Sequence, residues 1–284
     1  MMRLRFDKYI LKDMAKSTIS HGILLAVSLT CIFPLVWMFS SSLKTQQTIF
    51  KNMSLWPGVC HWENYITAWT RGGFGIYFLN SVFYTVTVVV GLILIASLAA
   101  YAFSRLEFKG KNIIYFTFLA AMMIPIPGSF IALYVLLVKL GLVNTRLGYI
   151  LPQISIGLSL AIYLLKTFFD EIPKEIEDSA AVDGCSPVGI WWHIALPLAK
   201  PAIAVIAIFN ALAVWNEYIL AMIILQDKAK MPLQRGLMIF QGAHFTEYPL
   251  PMAGITLTAI PIIIIYLVMQ RYIIEGITAG AVKG

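Results

Sequence analysis

The side chains that could do chemistry are few and scattered. The four histidines stand far apart, and neither His21 nor His193 has a partner at metal-ligand spacing. Cys31, Cys60 and Cys185 are equally dispersed, so none is expected to be paired, metal-bound or catalytic. A phosphate-cradling loop needs Gly, four residues, Gly, Lys and then Ser or Thr. Gly110-Lys111-Asn112 and Val282-Lys283-Gly284 both lack that hydroxyl. No catalytic residue, metal site or bound cofactor is therefore expected in this chain. One acid, Glu217, stands inside a long apolar run, beside Trp215 and Asn216. A carboxylate at the centre of a membrane helix costs about 2.5–3.5 kcal/mol on insertion scales. Glu217 must therefore face protein or water. The longest hydrophilic insertion lies between residues 170 and 197.

The elements that carry these residues are written in the composition. Of 284 residues, 60% are hydrophobic and only 12% charged, against about 25% charged in an ordinary soluble domain. The mean hydropathy of +0.81 excludes a disordered chain, a secreted disulfide scaffold and a typical cytosolic enzyme. The apolar stretches are continuous, whereas barrel strands alternate apolar and polar residues. The formal charge of +7 reads as orientation-setting Lys and Arg rather than as affinity for nucleic acid.

A bilayer core of about 30 Å needs roughly 20 apolar residues. Lys16 to Lys44 encloses 27 residues without Asp, Glu, Lys or Arg, and Arg71 to Arg105 encloses 33. Such gaps predict six spans, at about 18–42, 78–104, 112–138, 147–168, 201–225 and 252–270. With the N-terminus inside, 13 of the 21 basic residues fall in inside segments. The sequence thus predicts an all-α membrane protein with both termini cytoplasmic, residues 1–17 leading into a transmembrane domain over 18–284. The first span is too long for a signal peptide, contains Pro34 and ends in Trp37-Met38-Phe39-Ser40, so it is expected to stay uncleaved. Ala96, Ser97, Ala99 and Ala100 allow close helix approach. Outside, Trp-Glu-Asn-Tyr-Ile-Thr-Ala-Trp-Thr at 62–70 reads as an amphipathic helix on the bilayer surface, with Trp and Tyr at the interface. Sugar stacking is the alternative for those aromatics. The 226–250 loop, with Gln226, Asp227, Lys228, Lys230, Gln234, Arg235, Gln241, His244 and Glu247, is long for a mere connection.

The 170–197 segment has a clear local grammar. Pro173 suits a helix start, and Glu175, Glu177 and Asp178 meet the positive end of its dipole. Gly184 falls where that helix should stop. Ser186-Pro187 suits the cap and first position of a second helix. Ile176, Ala180, Val182, Ile190, Trp191 and Trp192 are more apolar than a solvated loop requires, and suggest docking on another protein.

Asp178-Ser179-Ala180, three residues, Gly184, nine residues and Ile194-x-Leu196-Pro197 resemble the cytoplasmic "EAA" loop of binding-protein-dependent ABC importer permeases. Asp replaces Glu at 178 and Ser replaces the first Ala at 179. The resemblance to the carbohydrate-uptake subfamily continues over roughly 220 residues. It runs through Glu63-Asn64-Tyr65, Asn80-Ser81, Ala100-Tyr101-Ala102-Phe103-Ser104-Arg105, Leu140-Gly141-Leu142-Val143-Asn144-Thr145, Trp215-Asn216-Glu217 and Thr278 to Gly284. The smaller permease of maltose-type transporters is the nearest likeness.

That resemblance implies a type I importer permease fold, with the loop around Gly184 as the coupling helix seated on a separate ATPase subunit. Glu175, Glu177, Asp178, Ala180, Asp183, Gly184, Ile194, Leu196 and Pro197 become the candidate coupling residues. The acids are candidates for pairing with basic residues of the ATPase. The implied partners are a second permease in a heterodimeric pore, two copies of the ATPase carrying ATP and Mg, an extracytoplasmic sugar-binding protein and membrane lipid, with no nucleic acid. The implied location is a bacterial or archaeal cytoplasmic membrane. The 226–250 loop resembles the segment that enters the binding protein, and the 278–284 tail the one that touches the ATPase pair. Trp215, Asn216 and Glu217 are candidates for the substrate path, and Glu217 has a structural alternative in pairing with the partner permease. An ion-coupled secondary transporter and an integral membrane enzyme are the competing classes. The first should show several intramembrane ionisable groups, the second clustered His, Asp or Ser. A reporter fused at Gly58 should be exposed outside the cell; a cytoplasmic reporter there would reverse the orientation.

Overall fold

The computed structural model describes residues 2–51, 54–71, 73–123, 126–240 and 247–281, with side chains left aside at 2–15, 71, 126–127, 239–240, 269 and 271–281. Every regular element among them is helical. The helices are α1 (Met2–Ser42), α2 (Gln46–Lys51), α3 (Glu63–Arg71), α4 (Phe74–Arg105), α5 (Lys111–Ala121), α6 (Ile126–Lys139) and α7 (Arg146–Glu171). They are followed by α8 (Lys174–Val182), α9 (Pro187–Leu198), α10 (Lys200–Trp215), α11 (Ile219–Ile224) and α12 (Pro249–Ala281). Short helical turns occupy Lys228–Lys230 and Leu233–Phe240. The chain divides into two compact units, one of residues 1–71 and 240–257, the other of 72–239 and 258–284.

In the first unit, α3 is tied to the end of α1. Asn64 Nδ2 donates to the carbonyls of Ser42 and Lys44 at 2.8 and 2.9 Å. The Tyr65 hydroxyl meets Ser42 Oγ at 2.6 Å. Asn64 and Tyr65 thus satisfy carbonyls and a hydroxyl that the end of a long helix leaves open. The expected amphipathic helix at 62–70 is present as α3, with Trp62 and Trp69 exposed.

In the second unit, α4, α7 and α10 form the core. Leu92, Ala96, Ala100, Ala161, Ile162, Leu165, Phe169 and Ile206 pack together with almost no exposure. Lipid tails are as apolar as Leu, so dispersion and close fit, rather than the hydrophobic effect, hold such helices together. Ala96 and Ala100 supply the close fit, as expected. Gly157 does the same from α7: a Cβ there would run into the Asn210 side chain on α10.

Among the described residues, four helices are long and apolar enough to cross a membrane: Lys16–Ser42, Phe74–Arg105, Arg146–Glu171 and Pro249–Val268. A fifth arises if α9 and α10, bent by 76°, are taken together. Four of the six expected spans therefore appear as continuous helices. The expected span at 112–138 is divided between α5 and α6; residues 124–125 lie outside the described residues. The expected span at 201–225 stops at Trp215 and resumes at Ile219. α1 runs from Met2 to Ser42, so the expected 1–17 segment and the first expected span lie on one helix.

Candidate functional site

The 172–198 segment folds as its local grammar predicts. Pro173 caps α8 rather than occupying its first position. At the other end, the Gly184 amide donates to Ala181 O at 3.1 Å and the Cys185 amide to Ala180 O at 3.0 Å. These are the paired bonds of a Schellman closure, which needs a left-handed residue. Gly184 supplies it with φ +88, and a Cβ there would meet nothing within 4 Å. The constraint at Gly184 is therefore its backbone angle, not space. Ser186 Oγ then accepts from the Gly189 amide at 3.2 Å, and Pro187 opens α9. Residues Trp191–Ala195 of α9 form one wide π turn.

This helix–glycine–helix unit is anchored by the end of α4. Arg105 Nε donates to Glu177 Oε1 at 2.8 Å, and Arg105 Nη2 donates to Ile172 O at 2.7 Å. The Tyr101 hydroxyl donates to Glu177 Oε2 at 3.2 Å. The two charged side chains are only 9% and 10% exposed. Beside them Ser104 Oγ donates to Asp170 Oδ1 at 2.7 Å, and Lys166 pairs with the same carboxylate at 2.6 Å. Removing one partner of a buried pair leaves an uncompensated charge, at a cost of about 3–5 kcal/mol.

The candidate coupling residues divide accordingly. Glu175, Asp178, Asp183 and Gly184 are exposed. Glu177 is not directed outward as expected: its carboxylate is held inside the chain by Arg105 and Tyr101. Ala180 is buried, and Ile194 and Leu196 pack against the core. Ile190 and Trp191, expected on a docking face, are core residues too. Ile176, Val182, Val188 and Trp192 remain exposed. Pro197 lines a groove of about 410 Å³ with Leu94, Trp192, Leu196, Lys200 and Ile203.

The substrate-path candidates sit at the opposite end of α10. Trp215 is buried, with its indole N–H donating to Thr258 O at 3.2 Å. Asn216 is exposed and accepts from Gln234 Nε2 at 3.3 Å. Glu217 accepts from the Leu220 and Ala221 amides, at 2.6 and 3.0 Å, and from the Tyr149 hydroxyl at 3.2 Å. Its carboxylate caps α11 and so satisfies amides freed by the helix break. Its place in an apolar run has a structural cause.

Nearby, the 226–233 segment is clamped by α4 and by the turn before α7. Asn80 Nδ2 donates to Ala229 O at 2.9 Å and to Met231 O at 3.0 Å. The Tyr84 hydroxyl donates to Lys230 O at 2.7 Å, and Ser81 Oγ accepts from the Leu233 amide at 2.8 Å. Asn144, at φ 58, accepts from the Gln226 and Asp227 amides at 3.0 and 2.9 Å. The Ala229 amide first, then Lys230, holds the Asp227 carboxyl below its ordinary range. The small stabilisation this adds is present above the unfolded-state value and fades as pH falls through the depressed one. Residues 241–246, with Gln241 and His244, lie outside the described residues, as do 282–284 of the expected tail contact.

Comparison with known proteins agrees with this architecture. The family described as "Binding-protein-dependent transport system inner membrane component" matches residues 91–278. The chain belongs to that family, and is a multi-pass membrane transport component rather than an enzyme. It is 37% identical to the probable ABC transporter permease protein YurM of Bacillus subtilis, over 89% of this chain and 84% of that one. It is 32% identical to the diacetylchitobiose uptake system permease protein NgcG of Streptomyces coelicolor, over 95% and 90%. Among solved structures, a bacterial ABC transporter involved in import of the acidic polysaccharide alginate superposes with a TM-score of 0.77. That match has 28% identity and covers 90% of this chain and 95% of that one.

Sequence reasoning did not assign roles to Tyr101, Arg105, Asn80 or Asn144, although each lies in a quoted motif. The available signals were the lone cation closing an uncharged run at Arg105 and an Asn suited to the left-handed region at 144. Asn80→Ala should remove two bonds to carbonyls, at a cost of about 1–3 kcal/mol if they stay buried. Amide exchange at 227–233 should accelerate while the α4–α7 core stays protected; unchanged exchange would show that the clamp is not needed.

Proposed function

We propose that this chain is a permease subunit of an ATP-driven importer for a sugar, oligosaccharide or related polyol. It forms half of the translocation path beside a second permease. The diacetylchitobiose and alginate systems among its relatives support the substrate class. The chain crosses the membrane six times in this reading, with the α5–α6 and α10–α11 stretches each serving as an interrupted span. Residues 170–197 and both termini are cytoplasmic, and 226–250 faces an extracytoplasmic sugar-binding protein.

The observation that carries the reading is the exposed turn between α8 and α9. Val182 is 88% exposed and Val188 65%, flanked by Asp178 and Asp183. Apolar tips rimmed by acids suit a groove on an ATPase subunit with a basic edge. Two such ATPase copies supply ATP and Mg, and this chain transmits their closure. The α8–α9 unit is the EAA-type coupling element, with Gly184 as its turn. An ion-coupled mechanism would need an intramembrane carboxylate free to exchange protons or bind a cation. Glu217 is engaged as a helix cap instead.

Gly184→Val places a β-branched residue at positive φ, which is strained by roughly 1–2 kcal/mol or more. The variant should insert and assemble, yet lose binding-protein-stimulated ATP hydrolysis by about tenfold, the equivalent of about 1.4 kcal/mol. Stimulated hydrolysis at the unaltered rate would contradict the coupling role.

A further inference from the structure

We propose that the Arg105–Glu177 pair, with the Tyr101 hydroxyl, is a strut that makes α8 and the end of α4 move as one body. ATP-driven displacement of the coupling element would then reach α4 directly. The inference rests on the coupling role proposed above for the 174–198 unit.

Chain connectivity alone gives α8 no hold on α4. α8 follows α7 through Ile172-Pro173 and leads into α9 through Gly184. α4 ends at Arg105, more than 60 residues earlier. The α8–α9 joint is a lone glycine turn in open space, and the α9–α10 joint is bent by 76°. The polar cross-links from α4 are of a different kind. One guanidinium reaches both the Glu177 carboxylate and the Ile172 carbonyl, so it grips α8 and the α7–α8 linker together. Tyr101, one turn back on α4, takes the second carboxylate oxygen. Arg presents a planar fork that a Lys ammonium does not reproduce. Buried, the pair is little screened by salt. An apolar contact of similar volume would stabilise the fold as well or better. What the ion pair adds is direction: its hydrogen bonds fix where α8 sits on α4. Arg105, Glu177 and Tyr101 are therefore positioning residues, and none needs to touch the transported solute.

The test uses the full complex in lipid, with Cys31, Cys60 and Cys185 replaced by Ser. Spin labels are placed at Ile219 as reference and at either Val182 or Leu98, all exposed positions of the second unit. The probe is ATP with Mg. In the otherwise unaltered chain both distances to Ile219 should change on adding ATP. In Arg105→Ala the Val182 distance should still change, while the change at Leu98 should fall about fivefold or more, within the ordinary range of coupling strengths. The double exchange of Arg105→Glu with Glu177→Arg, which remakes the ion pair but not the bond to Ile172 O, should restore it in part. Arg105→Lys, which keeps the charge but loses the fork, should give an intermediate response and serves if Arg105→Ala does not assemble. An undiminished Leu98 response in Arg105→Ala or Arg105→Lys overturns the strut, as does a double exchange that restores nothing. If Val182 itself fails to respond in the unaltered chain, the coupling reading falls first and the strut with it.

Discussion

A guanidinium buried at the end of a long apolar helix has to be paired, and the second unit is organised around how Arg105 meets that demand. Its partner, Glu177, comes from a helix outside the main bundle. Its second acceptor, Ile172 O, is the carbonyl just beyond α7. Satisfying one charge therefore brings the end of α4, the end of α7 and the start of α8 to one place. Leu165, Phe169 and Ile172 then pack beneath it with Ala180, Ile190 and Trp191. The hydrophilic insertion that looks like an appendage in the sequence is half core.

A second constraint is that backbone groups freed by a helix break and buried in the protein have to find partners there. The break between α10 and α11 shows how this chain meets it. Glu217 takes the amides of Leu220 and Ala221, and Tyr149 reaches the same carboxylate. The irregular 226–233 segment is treated in the same way, its carbonyls and amides taken up by Asn80, Ser81, Tyr84 and Asn144. Polar side chains at this end of α4 and α7 thus serve backbone, and a carboxylate that sequence alone would offer to a solute is already engaged.

Much of the fold was legible because its signals are local. Four long uncharged runs became four long helices. Ser186-Pro187 and Gly184 became a cap and a helix stop, each within a residue or two of where side-chain chemistry placed it. What was not legible depends on partners distant in sequence. Glu177 and Asp178 look alike in the chain, yet one is buried against Arg105 and the other exposed. Only the helical phase relative to α4 separates them, and that phase is set by packing. The same holds for Trp191 and Trp192, adjacent in sequence and opposite in burial. The interruption at Asn216–Tyr218 falls on Glu217, the one acid of that run, but a lone carboxylate in an apolar run does not by itself report that the backbone ladder stops there.

In the proposed mechanism the α8–α9 turn is seated on an ATPase subunit, and the native Cys185, exposed beside Gly184, gives direct access to it. With Cys31 and Cys60 replaced by Ser, a maleimide carrying a short photoactivated diazirine, which inserts into any neighbouring C–H or N–H bond, would be attached to Cys185 in native membranes, irradiated, and its adducts identified by mass spectrometry. A covalent product with a Walker-type ATPase subunit, weakened by Gly184→Val, is expected. Abundant assembled complex in which Cys185 is freely modified but never joined to such a subunit would contradict it.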